Sequence, residues 1–156
     1  YDYLKADPRN VHAYVMGEHG DSEFVPWSQA LLATKPILEL CGENGEAVCR
    51  QRFDEIEEEV RTAAYKIIEA KSATYYGIGM ALTRITKAIL GDEHSVLTVS
   101  AMLRGEYGQM DVFAGVPCII NQNGVQRVLP LSLTPEELEK LGRSCDTLRE
   151  GYDGIF

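Results

Sequence analysis

At 156 residues the chain is the size of one ordinary domain, able to bury roughly 68–70% of the surface its unfolded form exposes. Hydrophobic residues at 45% and charged residues at 25% exclude a disordered polymer, and a formal net charge of −9 argues against nucleic acid or any other phosphate-backbone partner. No apolar run approaches the ~20 residues of a bilayer span and no signal-type segment opens the sequence, so no membrane partner is expected.

The sequence opens at Tyr1 in what looks like the end of a helix, Tyr1 to Ala6 is too short to assign, and Asp7-Pro8-Arg9-Asn10 forms a turn ahead of a short apolar strand, Val11–Met16. Gly17-Glu18-His19-Gly20-Asp21 interrupts the chain. Phe24–Leu40 then contains a second extended segment, bounded by Cys41-Gly42-Glu43-Asn44-Gly45. Phe53, Ile56, Val60, Ala63, Ala64 and Ile67 recur at helical spacing, which predicts a helix from Phe53 to Lys71. The acidic run from Asp54 to Glu59 stands opposite them, a solvated face suited to the positive end of the helix dipole. Ser72 and Thr74 separate this helix from another with Ile78, Leu82, Ile85 and Ile89 on one face and Gly91 at its stop.

Strand patterns return at Ser95–Leu103 and Asp111–Gln122, and Asn123-Gly124 predicts a hairpin between Val116–Gln122 and Val125–Leu131. Thr134-Pro135-Glu136-Glu137 is a capping box with proline at the first helical position, opening a last helix through about Leu148. Strands, two helices, strands and a helix predict one α+β domain with antiparallel sheets packed by long helices. The apolar faces of the last helix and of the Phe53–Lys71 helix are expected to dock on the sheet, burying Ile67. Cys41, Cys49, Cys118 and Cys145 have neither CxxC spacing nor clustered histidines. They read as reduced thiols, with no disulfide, no zinc and no other metal implied.

Turning a strand needs only two residues, so the acid, histidine and acid beside Gly17 and Gly20 ask for another explanation. An imidazole gives and takes a proton near neutrality, and the glycines leave room for a small substrate to approach His19. The same histidine also reads as a solvated turn residue. His12 lies in a strand, where a histidine is usually partly buried, and His94 reads as an exposed loop residue. Gly77-Ile78-Gly79 lacks both a third glycine and a preceding buried strand, so it reads as close helix packing and not as a dinucleotide loop.

The segment NVHAYVMGEHGDSEF, Asn10 to Phe24, resembles the catalytic-histidine segment of L-lactate dehydrogenases. AAYKIIEAKSATYYGIGMALTRITKAIL, Ala63 to Leu90, resembles that family's substrate-side helix pair, and the GVPCIINQNGV hairpin and acidic last helix sit where the family has them. The likeness covers essentially the whole chain. Malate dehydrogenases carry a closely similar histidine loop, but Glu18 and Ala73-Thr74-Tyr75-Tyr76 favour lactate. The resemblance implies that residues 1–156 are the C-terminal, substrate-binding and catalytic domain of a bacterial NAD-dependent enzyme interconverting (S)-lactate and pyruvate. It further implies a cytoplasmic, allosteric homotetramer at the fermentative end of glycolysis.

In that reading His19 accepts and returns the substrate hydroxyl proton, Thr74 lines the substrate pocket and Ile78 lies near the nicotinamide ring. Thr74 also reads simply as a helix N-cap, and Ile78 simply as core. His12 matches the histidine that helps hold fructose 1,6-bisphosphate between subunits in allosteric bacterial members, with Arg9 nearby as a phosphate contact. The resemblance places an NAD-binding Rossmann domain ahead of Tyr1, together with an aspartate that orients the histidine and an arginine that clamps the substrate carboxylate. The 156 residues alone are therefore expected to be inactive and to bind no NADH measurably; Asp21 is a tempting in-chain substitute for the aspartate, but the resemblance gives it no such role. Two alternatives stay open: a non-enzymatic α+β assembly or binding domain, and the equivalent domain of a malate-type dehydrogenase.

Overall fold

Alternation decides the larger sheet. β4 (Ser95–Arg104), β5 (Met110–Asn121) and β6 (Gly124–Val128) form an antiparallel three-stranded sheet. On β5, Val112, Ala114, Val116, Cys118 and Ile120 all face inward and are buried, the period of two that a half-covered strand requires. Register pairs Leu103 with Val112, Val99 with Val116 and Leu97 with Cys118, so β4 adds its apolar residues to the same face. A computed structural model describes residues 4–41 and 46–153. Residues 1–3, with the expected helix end, and 42–45, with most of the expected glycine break, lie outside them.

β6 stops at Val128, short of the expected Leu131, because Pro130 cannot donate to a ladder and restricts Leu129 before it. α5 (Pro135–Asp153) covers the inner face with Leu141 and Cys145, both fully buried. Its capping box forms as expected. The Glu137 amide donates to Thr134 Oγ1 at 3.2 Å, and the Thr134 amide to Glu137 Oε2 at 2.9 Å.

A smaller antiparallel sheet joins β1 (Val11–His12), β2 (Leu31–Leu32) and β3 (Lys35–Pro36), followed by the short α1 (Ile37–Leu40). Its core holds Ala30, Ile37, Cys41, Cys49 and Phe53, with Trp27 stacked on Phe53 at 4.4 Å between ring centroids. Val11–Met16 is thus not one strand. Val11 and His12 pair with β2, whereas Met16 bridges to Phe24 and Gly17 to Gly115 of β5. The chain crosses from the small sheet to the large one between them, and the candidate loop begins where it lands.

The expected helix Phe53–Lys71 is two: α2 (Glu46–Arg61) and α3 (Ala63–Lys71), broken at Thr62, with Ser72 in the left-handed conformation closing α3. The acidic run therefore sits in the interior and last turns of α2, not at its positive end, and Glu57 within it is buried. α4 (Tyr75–Leu90) ends at Gly91 as expected. α2 docks on the small sheet through Phe53, but α3 and most of α4 leave their apolar faces open: Ile67 is 44% exposed and Ile78 53%, and α4 buries only Ala88 fully. Gly77 and Gly79 lie inside α4 with open space where a side chain would go, so close packing does not explain them. Cys41 and Cys49 are joined by a disulfide, against the expectation of reduced thiols, because α1 and α2 bring their Cα atoms within 5.6 Å. Cys118 and Cys145 are free and buried. Among the described residues no helix is long and apolar enough to cross a membrane, and no cluster of metal-ligating side chains occurs.

Candidate active-site loop

Three fastenings hold the loop that carries His19. Gly17 exchanges two backbone hydrogen bonds with Gly115, its amide donating at 2.9 Å and its carbonyl accepting at 2.7 Å. A side chain at Gly115 would press on the Gly17 carbonyl, and one at Gly17 would collide with Ser144 Oγ. Gly17 also has φ of +99°, a conformation that only glycine adopts freely. On the α5 side, the Glu18 amide donates to Ser144 Oγ at 2.6 Å. On the α3 side, the Tyr65 hydroxyl donates to Asp21 Oδ1 at 2.8 Å, and that carboxylate pushes the Tyr65 hydroxyl pKa up.

His19 stands at the tip of this loop, its imidazole fully exposed. Its carboxylate neighbour is Glu23, whose Oε2 lies 3.5 Å from Nδ1 and whose side chain is nearly buried. Asp21, two residues from His19 but given no orienting role by the family likeness, is engaged by Tyr65. Glu23 was detectable in principle from its i+4 spacing to His19, but in a loop that spacing carries no fixed geometry. Ser144 lies 126 positions from Glu18, and nothing in the sequence pairs the two.

Beside the loop a cavity of about 270 Å³ is lined by Ser22, Glu23, Glu57, Arg61, Lys140 and Arg143, together with Phe24. Its charges largely answer one another. Arg61 donates to Glu57 and Glu58 and to the Glu23 carbonyl, and Lys140 Nζ lies 3.6 Å from Glu57. Glu57, buried among them, also accepts from the Val25 amide at 3.2 Å. These contacts explain how a carboxylate in the acidic run tolerates burial.

Thr74 and Ile78 stand one helical turn apart at the start of α4 and so share a face. Thr74 occupies the N-cap position, yet its side chain makes no capping hydrogen bond, which leaves its hydroxyl available. Ile78 is half-exposed and is not core. The loop reaches the α3–α4 helix pair through Asp21 and Tyr65. His12 is exposed in β1, not partly buried. Arg9 grips Asp7 with two guanidinium hydrogen bonds of 3.0 and 2.7 Å, so it is committed within its own turn. His94 is an exposed loop residue as expected, within 3.0 Å of Gln126.

The alpha/beta C-terminal domain model of lactate/malate dehydrogenases matches residues 2–156. L-lactate dehydrogenase 2 of Bacillus anthracis is 53% identical over 149 residues, covering 96% of this chain and 47% of its own length. L-lactate dehydrogenase of Priestia megaterium is 50% identical over 156 residues, covering 99% of this chain and 48% of its own. The crystal structure of the minor L-lactate dehydrogenase from Enterococcus mundtii in its ligands-bound form superposes with a TM-score of 0.92 at 46% identity, over 98% of this chain and 48% of that one. The chain spans about half the length of the relatives it matches. It belongs to the lactate/malate dehydrogenase family and has the fold of that family's C-terminal domain.

Proposed function

We propose that this member of the lactate/malate dehydrogenase family is the substrate-side part of an NAD-dependent L-lactate dehydrogenase, with His19 as its proton acceptor and donor. The observation that carries the reading is the placement of His19: a fully exposed imidazole on a loop fastened to β5, α5 and α3. Reduction of a ketone by hydride builds negative charge on the carbonyl oxygen, and a positioned imidazolium donates its proton there before that charge accumulates. In the reverse direction the neutral ring takes the hydroxyl proton of lactate. The nicotinamide supplies or accepts the hydride when bound.

Of the dinucleotide this chain would touch little. Gly77 and Gly79 lie within α4 and offer no strand-to-helix phosphate loop, so Ile78, half-exposed on the same face as Thr74, is the contact it would offer the ring. Thr74 would meet the substrate through its uncapped hydroxyl. NAD binding otherwise falls to a Rossmann domain outside this sequence, and the 156 residues alone would be inactive. We extend the proposal to a homo-oligomer, supported by the exposed apolar residues of α3 and α4. It extends also to a bisphosphate contact at the exposed His12, without Arg9.

His19→Gln in the full-length protein tests the central claim. Pyruvate reduction is expected to fall about 10²–10⁴-fold with NADH binding retained. An unimpaired variant would sink it, and faster turnover of oxaloacetate than pyruvate by the wild type would move the assignment to the malate-type enzymes.

A further inference from the structure

We propose that Ser22 and Ser144 are positioning residues for His19, acting through a closed ring of hydrogen bonds that begins and ends on Glu18; this rests on the reading of His19 given above. An ionised carboxylate only accepts, so Glu18 Oε2 takes the hydrogen of Ser22 Oγ at 2.5 Å. Ser22, having donated its one hydroxyl hydrogen, is the acceptor from Ser144 Oγ at 3.1 Å. Ser144 Oγ in turn accepts from the Glu18 amide at 2.6 Å. Each hydroxyl donates once and accepts once, and the carboxylate fixes the direction of the whole ring. The Ser22 amide adds a further bond to the same carboxylate oxygen at 3.2 Å.

The ring ties both the amide and the side chain of Glu18, the residue that feeds directly into His19. Its anchor is rigid: Ser144 is fully buried on α5, between Leu141 and Cys145 of the main core. Two glycines make room for it. A side chain at Gly17 would occupy the place of Ser144 Oγ, and one at Gly20 would displace Glu18 Oε1. Among the described residues the charged neighbour of the His19 ring is Glu23, at 3.5 Å, and the ring of hydrogen bonds holds the backbone from which the imidazole projects.

Ser22 is partly exposed, which makes it the substitution that spares the core. In the full-length protein, Ser22→Ala is expected to lower kcat for pyruvate about 10- to 100-fold, the range that a small misplacement of a reacting group produces. KM and the thermal midpoint should change far less. Ser22→Thr, which keeps the hydroxyl, should restore kcat. Ser144→Ala combined with Ser22→Ala should be no slower than the slower single variant, because a ring broken once is already open. Hydrogen exchange in a peptide spanning residues 17–23 should quicken at the Glu18 amide in Ser22→Ala. Wild-type kcat in Ser22→Ala, failure of threonine to restore it, or additive losses that follow the thermal midpoint would overturn the proposal. A wild-type protein that reduces no pyruvate would remove the dehydrogenase reading instead. The ring is then judged by exchange alone, and equal exchange in wild type and Ser22→Ala overturns it.

Discussion

α5 places Leu141, Ser144 and Cys145 out of solvent against β5, whereas α3 and α4 leave Tyr65, Ile67, Ile78 and Leu82 between 44% and 58% exposed. Both layers are written in the same helical period. The difference is in what lies opposite. α5 faces the inward row of β5, already lined with Val112, Ala114 and Val116, while the apolar stripe of α4 meets the sheet only near Ala88 and Ile89. Amphipathic spacing announces that a face is meant to be covered, and says nothing about whether this chain does the covering.

One substitution on both layers gives the sharpest break. Leu141→Asp puts a carboxylate into the fully buried side of α5 and should cost roughly 3–5 kcal/mol, read as loss of cooperative unfolding or a large fall in the urea midpoint. A tolerated Leu141→Asp would mean that the α5 layer is not the packed one.

Gly17→Ala comes next. It forces a side chain into a φ of +99° and against Ser144, at an expected cost of about 1–3 kcal/mol. Loss of the loop's fastening should show as faster hydrogen exchange across 17–23. Unchanged stability and exchange would mean that the loop is not gripped by α5.

Alkali should loosen the packed layer first. Burial pushes the Cys118 thiol up to about 11 from its ordinary value of 9.0, and burial also raises Cys145 and Tyr107. The unfolded chain releases these protons sooner than the folded one, so their contribution is complete below about pH 9 and lost as the pH rises toward 11. The thermal midpoint should fall across that window, and less steeply in Cys118→Ala. A parallel fall in that variant would remove Cys118 as a cause.

The smallest effect is expected on the open layer. Ile67→Asp, which the sequence pattern marks as severe, should shift the stability of these 156 residues by no more than about 0.5 kcal/mol, since Ile67 is 44% exposed. In the full-length assembly the same change should cost more, if the α3–α4 face is covered there as proposed. Equal, small effects in both would argue that this face stays in water.

Much of the β4–β6 hairpin region, the capping box at Thr134 and the helix stop at Gly91 were legible in the sequence. Each depends on neighbours a few positions apart, where the period of a strand or the geometry of a cap acts directly. The Gly17–Asp21 loop was legible as well, because its residues exceed what a turn demands. Its supports were not. Ser144 and Gly115 are distant in sequence, and Tyr65 sits on an unremarkable exposed helix, so no local rule joins them to the loop.

By itself, then, the sequence determined the α+β class, the hairpin at Asn123-Gly124, the last helix with its cap and the likeness to lactate dehydrogenases, all of which rest on short-range chemistry. Only the tertiary structure decided which helices are buried, that Cys41 meets Cys49, that Glu57 is paired inside the protein, and that Glu23 and not Asp21 lies beside the His19 ring. A contact between residues far apart in the chain depends on where two separate elements come to rest, and each element's own spacing is the same wherever its partner lies.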